Sequence, residues 1–304
     1  MKALTYFLVA AEHGSIARAA EAQNVVPSAI SNAIDQVEQA FDMTLVQRFP
    51  AKGIVPNAAG LALIRRIRNA VDEYESLFAE GVALRGGLSG MLTVGYYAPV
   101  APAFMPAIVR PLVQANPDLR LSFVACDNER AQEGLLGGAF DVIVFVADDV
   151  RAGIVYETLI DAPPYLLAPA DHALARQAAV SLDALADTPL VLLDLPFTSA
   201  YYRGLLDRAG IEATFVAAAS TTEMVRSLVG AGLGCALLNM RPKTATTYAG
   251  DRVVAIPVDP QPAPLRLVVG RGDGKPRRLV EIFMEACRDY CSSAAGAETI
   301  VLTE

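Results

Sequence analysis

Ser28, Ser31 and Asn32 put three short hydrogen-bonding side chains on one stretch of chain, through which Ile30, Ile34, Val37 and Phe41 recur at three- and four-residue steps. That apolar period makes one buried helix face and leaves the polar three on or near one edge. An asparagine amide can donate to and accept from a single adenine edge, and a serine hydroxyl takes either role. The edge is therefore equipped to read bases. A second group is Thr198, Ser199, Thr221 and Thr222, hydroxyls at the predicted starts of two helices. With the free N–H groups of a first turn they form an anion cradle; the same hydroxyls also serve as plain helix caps. Enzyme chemistry lacks its parts. No Gly-x-Gly-x-x-Gly opens a helix, no Gly-x-Ser-x-Gly is present, and no phosphate loop ends in Lys-Ser/Thr. His13 and His172 are the only histidines, which leaves little for an acid–base constellation or a cluster of metal ligands. No catalytic residue, metal or cofactor is expected.

The polar edge needs a platform, and the residues before it supply one. Leu4, Phe7, Leu8 and Ala11 repeat at helical spacing. Gly14-Ser15 reads as a helix stop followed by an N-cap. Ala19 and Ala20 are small enough for two helices to cross closely. A polar step at Gln23-Asn24 follows, and Pro27 suits the first turn of the next helix, where its missing N–H costs nothing. Together these residues read as a helix-turn-helix ending in a long helix.

The ungapped run through Leu4, Phe7, Gly14-Ser15, Ala19-Ala20, Ala29-Ile30-Ser31, Ile34, Val37-Glu38, Leu45, Arg48 and Ala59-Gly60 resembles the N-terminal domain of the LysR-type transcriptional regulators. The resemblance implies a winged helix-turn-helix over residues 1–60 that binds double-stranded promoter DNA. Arg18, Pro27, Ser28, Ser31, Asn32, Gln36, Arg48 and Lys52 are its expected DNA-binding residues, with Ser28, Ser31 and Asn32 at base edges and Arg18, Arg48 and Lys52 at phosphates. The chain departs from the family pattern in places. Val26-Pro27-Ser28 replaces the usual Ser-Gln-Pro, and Asn32 stands where a basic or aromatic residue is common. Leu45-Val46 replaces Leu-Phe, and Pro56-Asn57 takes the place of the usual Thr. These changes point to an unusual sequence preference.

Charge sets a constraint. Residues 1–90 hold eight Lys and Arg against nine Asp and Glu, whereas DNA-binding domains more often carry a basic excess. The expected resolution is local: the three cations gather at phosphates, the acids face away, and helix starts add uncharged N–H donors. The whole-chain net charge of −8 suits modest non-specific DNA affinity. The four cysteines have no framework spacing, and Cys287 with Cys291 reads as a packed thiol pair rather than a redox switch. No apolar run of about eighteen residues and no basic-then-apolar leader is present. A reducing cytoplasm and no membrane are expected.

From residue 61 to residue 84, Leu61, Ile64, Ile67, Val71, Tyr74, Leu77, Phe78, Val82 and Leu84 form one apolar stripe. Such a stripe asks for a partner helix; the family resemblance makes it an antiparallel dimerisation helix. Gly86-Gly87-Leu88-Ser89-Gly90 reads as a hinge, so residues 61–90 form the linker. Beyond it, strands at 91–96, 119–125 and 141–146 alternate with helices at 103–114 and 129–136. A second set follows: strands at 190–193, 214–218 and 234–238, with helices at 199–208 and 222–229. This alternation predicts an α/β unit with parallel sheets and helices on both faces. A strand at 265–269 and a closing helix at 275–290 return to the first set. Residues 91–304 are thus expected as two lobes, lobe I (91–162 and 266–304) and lobe II (163–265), with crossovers near 162–167 and 257–265. The arrangement resembles the family's effector domain, itself similar to periplasmic binding proteins.

Ligands of open α/β sheets sit beyond the carboxyl ends of strands. That rule sets Tyr96, Tyr97 and Asp127 of lobe I against Phe197, Thr198, Ser199, Tyr201, Thr222 and Asn239 of lobe II as the expected effector-binding residues. Pro99 stands where the family often has a Ser or Thr that touches effector, and it offers neither hydroxyl nor N–H. The aromatics favour a small organic effector: a carboxylate, an amide or a ring-bearing molecule. Arg203, Arg226 and Arg241 are candidate carboxylate partners, or else solvated helix charges. The expected protein is a ligand-responsive regulator, a dimer through its linker helices and a tetramer through its effector lobes. Lobe closure would change the spacing of its DNA-binding domains, and RNA polymerase is a candidate partner. The competing class is a cytoplasmic small-molecule-binding protein of the two-lobed solute-binding type with weak DNA affinity. The absent leader and the N-terminal helices count against it.

Overall fold

The computed structural model describes residues 1–49, 53–83 and 88–302. Lys52, Leu84 and Gly86-Gly87 lie outside the described residues, as do the side chains of Leu77, Phe78 and Val82. The chain begins with α1 (Lys2–His13), α2 (Ile16–Ala22) and α3 (Pro27–Phe41), then a hairpin of β1 (Val46–Phe49) and β2 (Gly53–Pro56), then α4 (Ala58–Ala83). Gly14 stops α1 at φ 59°, and the Ser15 hydroxyl accepts the Arg18 N–H at 3.4 Å to cap α2. The hairpin crosses this turn closely: the Ile54 N–H donates to the Gly14 carbonyl at 2.9 Å. Glycine is required at position 53, where φ is +89° and a Cβ would fall 2.1 Å from that carbonyl.

Phe7, Ala19, Ile30, Ile34, Val37, Leu45 and Ile54 form the core of this unit, and Ile64, Ile67 and Val71 of α4 complete it. This corrects the expectation that the whole α4 stripe awaits a partner helix. Its first half is buried inside the chain because α4 folds back against α1. Leu61, 64% exposed, is left at the surface.

The effector unit continues with β3 (Gly90–Tyr97), α5 (Met105–Ala115), β4 (Leu119–Cys126), α6 (Asn128–Leu136), β5 (Val142–Val146) and β6 (Ile154–Ala162). The chain crosses at Pro163 into β7 (Pro164–Pro169), β8 (Leu190–Leu193), α7 (Pro196–Arg208), β9 (Phe215–Ala219), α8 (Thr222–Gly230), β10 (Ala236–Asn239) and β11 (Val253–Pro257). It returns through 258–264 to β12 (Leu265–Gly272), α9 (Arg278–Cys291) and α10 (Ala294–Ala297).

The lobe I sheet runs β4-β3-β5-β12-β6. Its first three strands are parallel, as expected, but β12 is antiparallel to both β5 and β6. A strand re-entering from the other lobe arrives without a crossover helix, so it is free to run the other way. In lobe II the order β10-β7-β11 is antiparallel throughout, and β8 pairs with β9 in parallel. A parallel bridge between Leu190 and Cys235 joins the two sheets, with the Val191 N–H on the Cys235 carbonyl at 2.8 Å.

Candidate functional site

Along α3, Ser28, Asn32 and Gln36 recur every fourth residue and are exposed, opposite the buried Ile30, Ala33, Ile34 and Val37. Pro27 is exposed at the start of the same helix. Arg18 is exposed on α2. Arg48 behaves differently from the expectation. Its guanidinium donates to Asp35 Oδ1 at 2.5 Å and to Ser31 Oγ at 3.4 Å, and Glu38 lies 3.8 Å away. Asp35 and Glu38 therefore turn toward the wing cation instead of away from it, and Arg48 fastens the wing to α3. Its side chain is 40% exposed, so the pair is screened and contributes about 1 kcal/mol or less. Glu38, absent from the sequence-derived set, accepts the N–H groups of Leu45 at 2.7 Å and Val46 at 3.0 Å and so sets where the wing begins.

In the effector unit the facing edges meet directly. The Tyr97 hydroxyl lies 2.5 Å from Thr198 Oγ1. Burial pushes that phenol up to about 12, against the pull of the Thr198 hydrogen bond. Thr222 Oγ1 donates to the Pro99 carbonyl at 2.9 Å, so the residue that lacks a hydroxyl still contributes an acceptor. The Tyr202 hydroxyl donates to Asn239 Oδ1 at 2.7 Å, and Asn239 Nδ2 donates to the Ala162 carbonyl at 2.8 Å. The Tyr201 hydroxyl donates to the Ala263 carbonyl at 2.8 Å. Both crossovers are thereby tied to α7 and β10. Phe197 meets Tyr97 edge-on with ring centres 6.3 Å apart and stacks on Tyr201 at 6.1 Å. Among Tyr97, Pro99, Thr198, Tyr202 and Asn239 no cavity remains.

Other expected site residues are engaged elsewhere. Successive strand residues point to opposite sides, and the Tyr96 ring stands edge-on to Phe123 of β4 at 6.3 Å. Asp127 caps α6, accepting the Arg130 N–H at 2.8 Å. Thr221 caps α8 through the Met224 N–H at 3.3 Å. Because α7 starts at Pro196, Thr198 lies inside its first turn and is no cap; Ser199 follows it, half-buried. Arg226 is buried against Glu223 at 2.9 Å and the Thr244 and Thr246 carbonyls. Arg203 covers the Phe215 ring at 4.4 Å, and Arg241 donates to the Glu298 carbonyl at 3.0 Å.

Open space lies beside the closed contact. A cavity of about 500 Å³ is lined by Val146, Ala147 and Asp148 of lobe I, Phe197, Tyr201 and Arg208 of α7, and residues 263–266, where the second crossover enters β12. Asp161 and Arg266 at its edge pair with each other at 2.9 Å. The sequence reading missed Asp148 and Arg208, although Asp148 follows the carboxyl end of β5, where the strand-end rule applies. All four cysteines are buried and unpaired. Burial pushes the thiols of Cys126, Cys235 and Cys291 up to about 11, and that of Cys287 higher still. Among the described residues no helix is long and apolar enough to cross a membrane, and no group of His, Cys, Asp and Glu could hold a metal ion.

Residues 1–61 match the family model for the bacterial regulatory helix-turn-helix protein, lysR family, and residues 85–292 match the LysR substrate binding domain. A probable hydrogen peroxide-inducible genes activator of Streptomyces viridosporus is 29% identical over 299 residues, 94% of each chain. The HTH-type transcriptional regulator AlsR of Bacillus subtilis is 25% identical over 237 residues, 77% of this chain and 78% of its own. Among solved structures, a full-length OxyR variant from Pseudomonas aeruginosa superposes with a TM-score of 0.74 at 22% identity, covering 94% of this chain and 93% of that one. The PA01 protein from the same species, a LysR family transcriptional regulator by its description, superposes with a TM-score of 0.63 at 26% identity, covering 96% and 99%.

Proposed function

The chain belongs to the LysR family of transcriptional regulators, and we propose that it binds promoter DNA as a homodimer through the exposed edge of α3. We further propose that a small organic molecule entering between its lobes changes that binding. The observation that carries the second half is the cavity of about 500 Å³ beside the Tyr97–Thr198 contact. Its size falls within the range of small-molecule sites, roughly 300–1,000 Å³, and it shares the α7 wall with that contact. Phe197 and Tyr201 offer a ring-stacking surface, Arg208 a carboxylate partner and Asp148 an acceptor for a donor group. The effector class that fits is a small carboxylate with an apolar or aromatic body. Such a ligand would press on α7, which carries Thr198 and is tied by Tyr201 to the second crossover. Lobe closure and its ligand would then bias one another.

Some relatives take their names from hydrogen peroxide. It is the thiolate that attacks peroxide, and the four cysteines here are buried with their thiols held protonated. A ligand in the cavity is the better-supported signal. The test is a titration of aromatic and aliphatic carboxylates and amides, read by thermal shift and DNA footprint, on the parent and on Arg208→Gln. A carboxylate should shift the parent and bind Arg208→Gln about tenfold more weakly. Equal responses in both proteins would place the effector elsewhere.

A further inference from the structure

We propose that Asp35 of α3 is a specificity-determining residue that reads cytosine in the major groove, held in position by Arg48 of the wing. The inference rests on the docking of α3 proposed above and names one base it recognises. A recognition helix lies in the major groove with its side chains against base edges. Seven residues separate Asp35 from Ser28, and an ideal helix sets such a pair about 20° apart. Asp35 thus falls between Ser31 and Asn32 on the exposed edge, and its side chain is 57% exposed. An unpaired carboxylate there would be repelled by the phosphate backbone.

The wing removes that repulsion. Arg48 donates to Asp35 Oδ1 at 2.5 Å and to Ser31 Oγ at 3.4 Å, so it cancels the charge of the carboxylate and fixes its rotamer. Among the described residues no hydrogen bond engages Asp35 Oδ2. An ionised carboxylate oxygen can only accept. In the major groove cytosine offers its N4 donor, adenine offers an N6 donor beside the N7 acceptor, and guanine and thymine present acceptors. Oδ2 is therefore suited to cytosine, compatible with adenine and opposed to guanine and thymine. Asp35 follows Asn32 by three residues, a rise of about 4.5 Å against roughly 3.4 Å per base step. The cytosine should then lie within about two base pairs of the adenine that Asn32 is equipped to read.

The test is selection from random-sequence duplex DNA by the full chain and by its Asp35→Asn and Asp35→Ala variants. The parent should enrich one cytosine near the adenine assigned to Asn32, about tenfold over guanine or thymine at that position. Asp35→Asn keeps an oxygen for Arg48 and adds an amide donor, so adenine should replace cytosine there. Asp35→Ala should show no preference at that position and leave the rest of the enriched sequence unchanged. Asp35 is exposed, so both variants should melt near the parent. The same enriched sequence for all three proteins would overturn the inference and leave the docking of α3 standing. So would an Asp35→Asn variant that loses affinity equally on every sequence, the result of a carboxylate that only latches the wing. A parent that enriches no sequence would overturn the docking of α3 and this inference together.

Discussion

The Tyr97 and Thr198 hydroxyls meet at 2.5 Å across 101 residues of chain, joining the last residue of β3 in lobe I to the first turn of α7 in lobe II. Thr222 and the Pro99 carbonyl make a second tie between the lobes at 2.9 Å. Tyr97→Phe removes one hydroxyl and leaves Thr198, only 1% exposed, without its partner. The expected loss is about 1–3 kcal/mol of effector-domain stability, whereas Tyr97→Phe with Thr198→Val removes both polar groups and should recover most of it. Thr222→Val, half-buried, should cost about 0.5–1.5 kcal/mol. Urea unfolding of the four proteins checks this. A Tyr97→Phe variant as stable as the parent would mean the hydroxyl pair does not hold the lobes together.

On α3 the exposed amide and the paired guanidinium should separate cleanly. Asn32→Ala should relax discrimination at one base position by roughly 1–3 kcal/mol. Arg48 already has Asp35 and Ser31 as partners, so Arg48→Ala should change the salt slope of DNA binding by less than one unit. Asp35→Ala frees that cation for a phosphate and should steepen the slope by about one unit. Fluorescence anisotropy across a salt series measures both. An Asn32→Ala variant that loses affinity equally on every sequence would remove that residue from base reading.

Two substitutions on α4 distinguish core from seam. Ile67 is 3% exposed within the helix-turn-helix core, so Ile67→Asp should destabilise that unit by roughly 3–5 kcal/mol, as an unpaired buried charge does. Leu61 is 64% exposed on the same helix. If the homodimer forms along this face, Leu61→Asp should lower the mass seen by light scattering and leave the melting temperature nearly unchanged. A parent-like mass for Leu61→Asp would move the dimer contact off this face.

The exposed edge of α3 was legible because a helix has one period, and that period assigns Ser28, Asn32 and Gln36 to the side opposite Ile30 and Ile34. The parallel half of the lobe I sheet was legible from its alternating strands and helices. Strands β6 and β7 were not. Strand β6 is an edge strand of mixed exposure without a clean alternation, and β7 is six buried residues that follow Pro163, start at Pro164 and end at Pro169, a composition that reads as a crossing loop. At the cleft, the strand-end rule located Tyr97, Phe197, Thr198 and Thr222 on facing edges. It is silent on whether facing hydroxyls bond each other or wait for a ligand, since that depends on lobe separation, which no local pattern encodes. Arg48 shows the same limit: its charge suggested phosphate, and only the fold reveals Asp35 beside it.

Burial holds the Tyr97 and Tyr201 phenols at about 12, above the ordinary tyrosine value of 10.0. The folded protein therefore keeps protons that the unfolded chain releases, and stability falls as pH rises wherever the folded state binds more of them. The stabilising share of these phenols is fully present below pH 10 and is lost as pH climbs from 10 through about 12. Loss of the Tyr97 proton also puts a phenolate in the buried contact with Thr198, so lobe contact should loosen in the same window. Urea midpoints across this range, with tyrosinate absorbance followed in parallel, should show a steep decline in the parent. Tyr97→Phe starts from lower stability at neutral pH but has one raised phenol fewer, so its decline should be shallower. Parallel slopes for parent and variant would show that Tyr97 titrates as an ordinary exposed phenol, and the lobes would then have to be in contact without enclosing it.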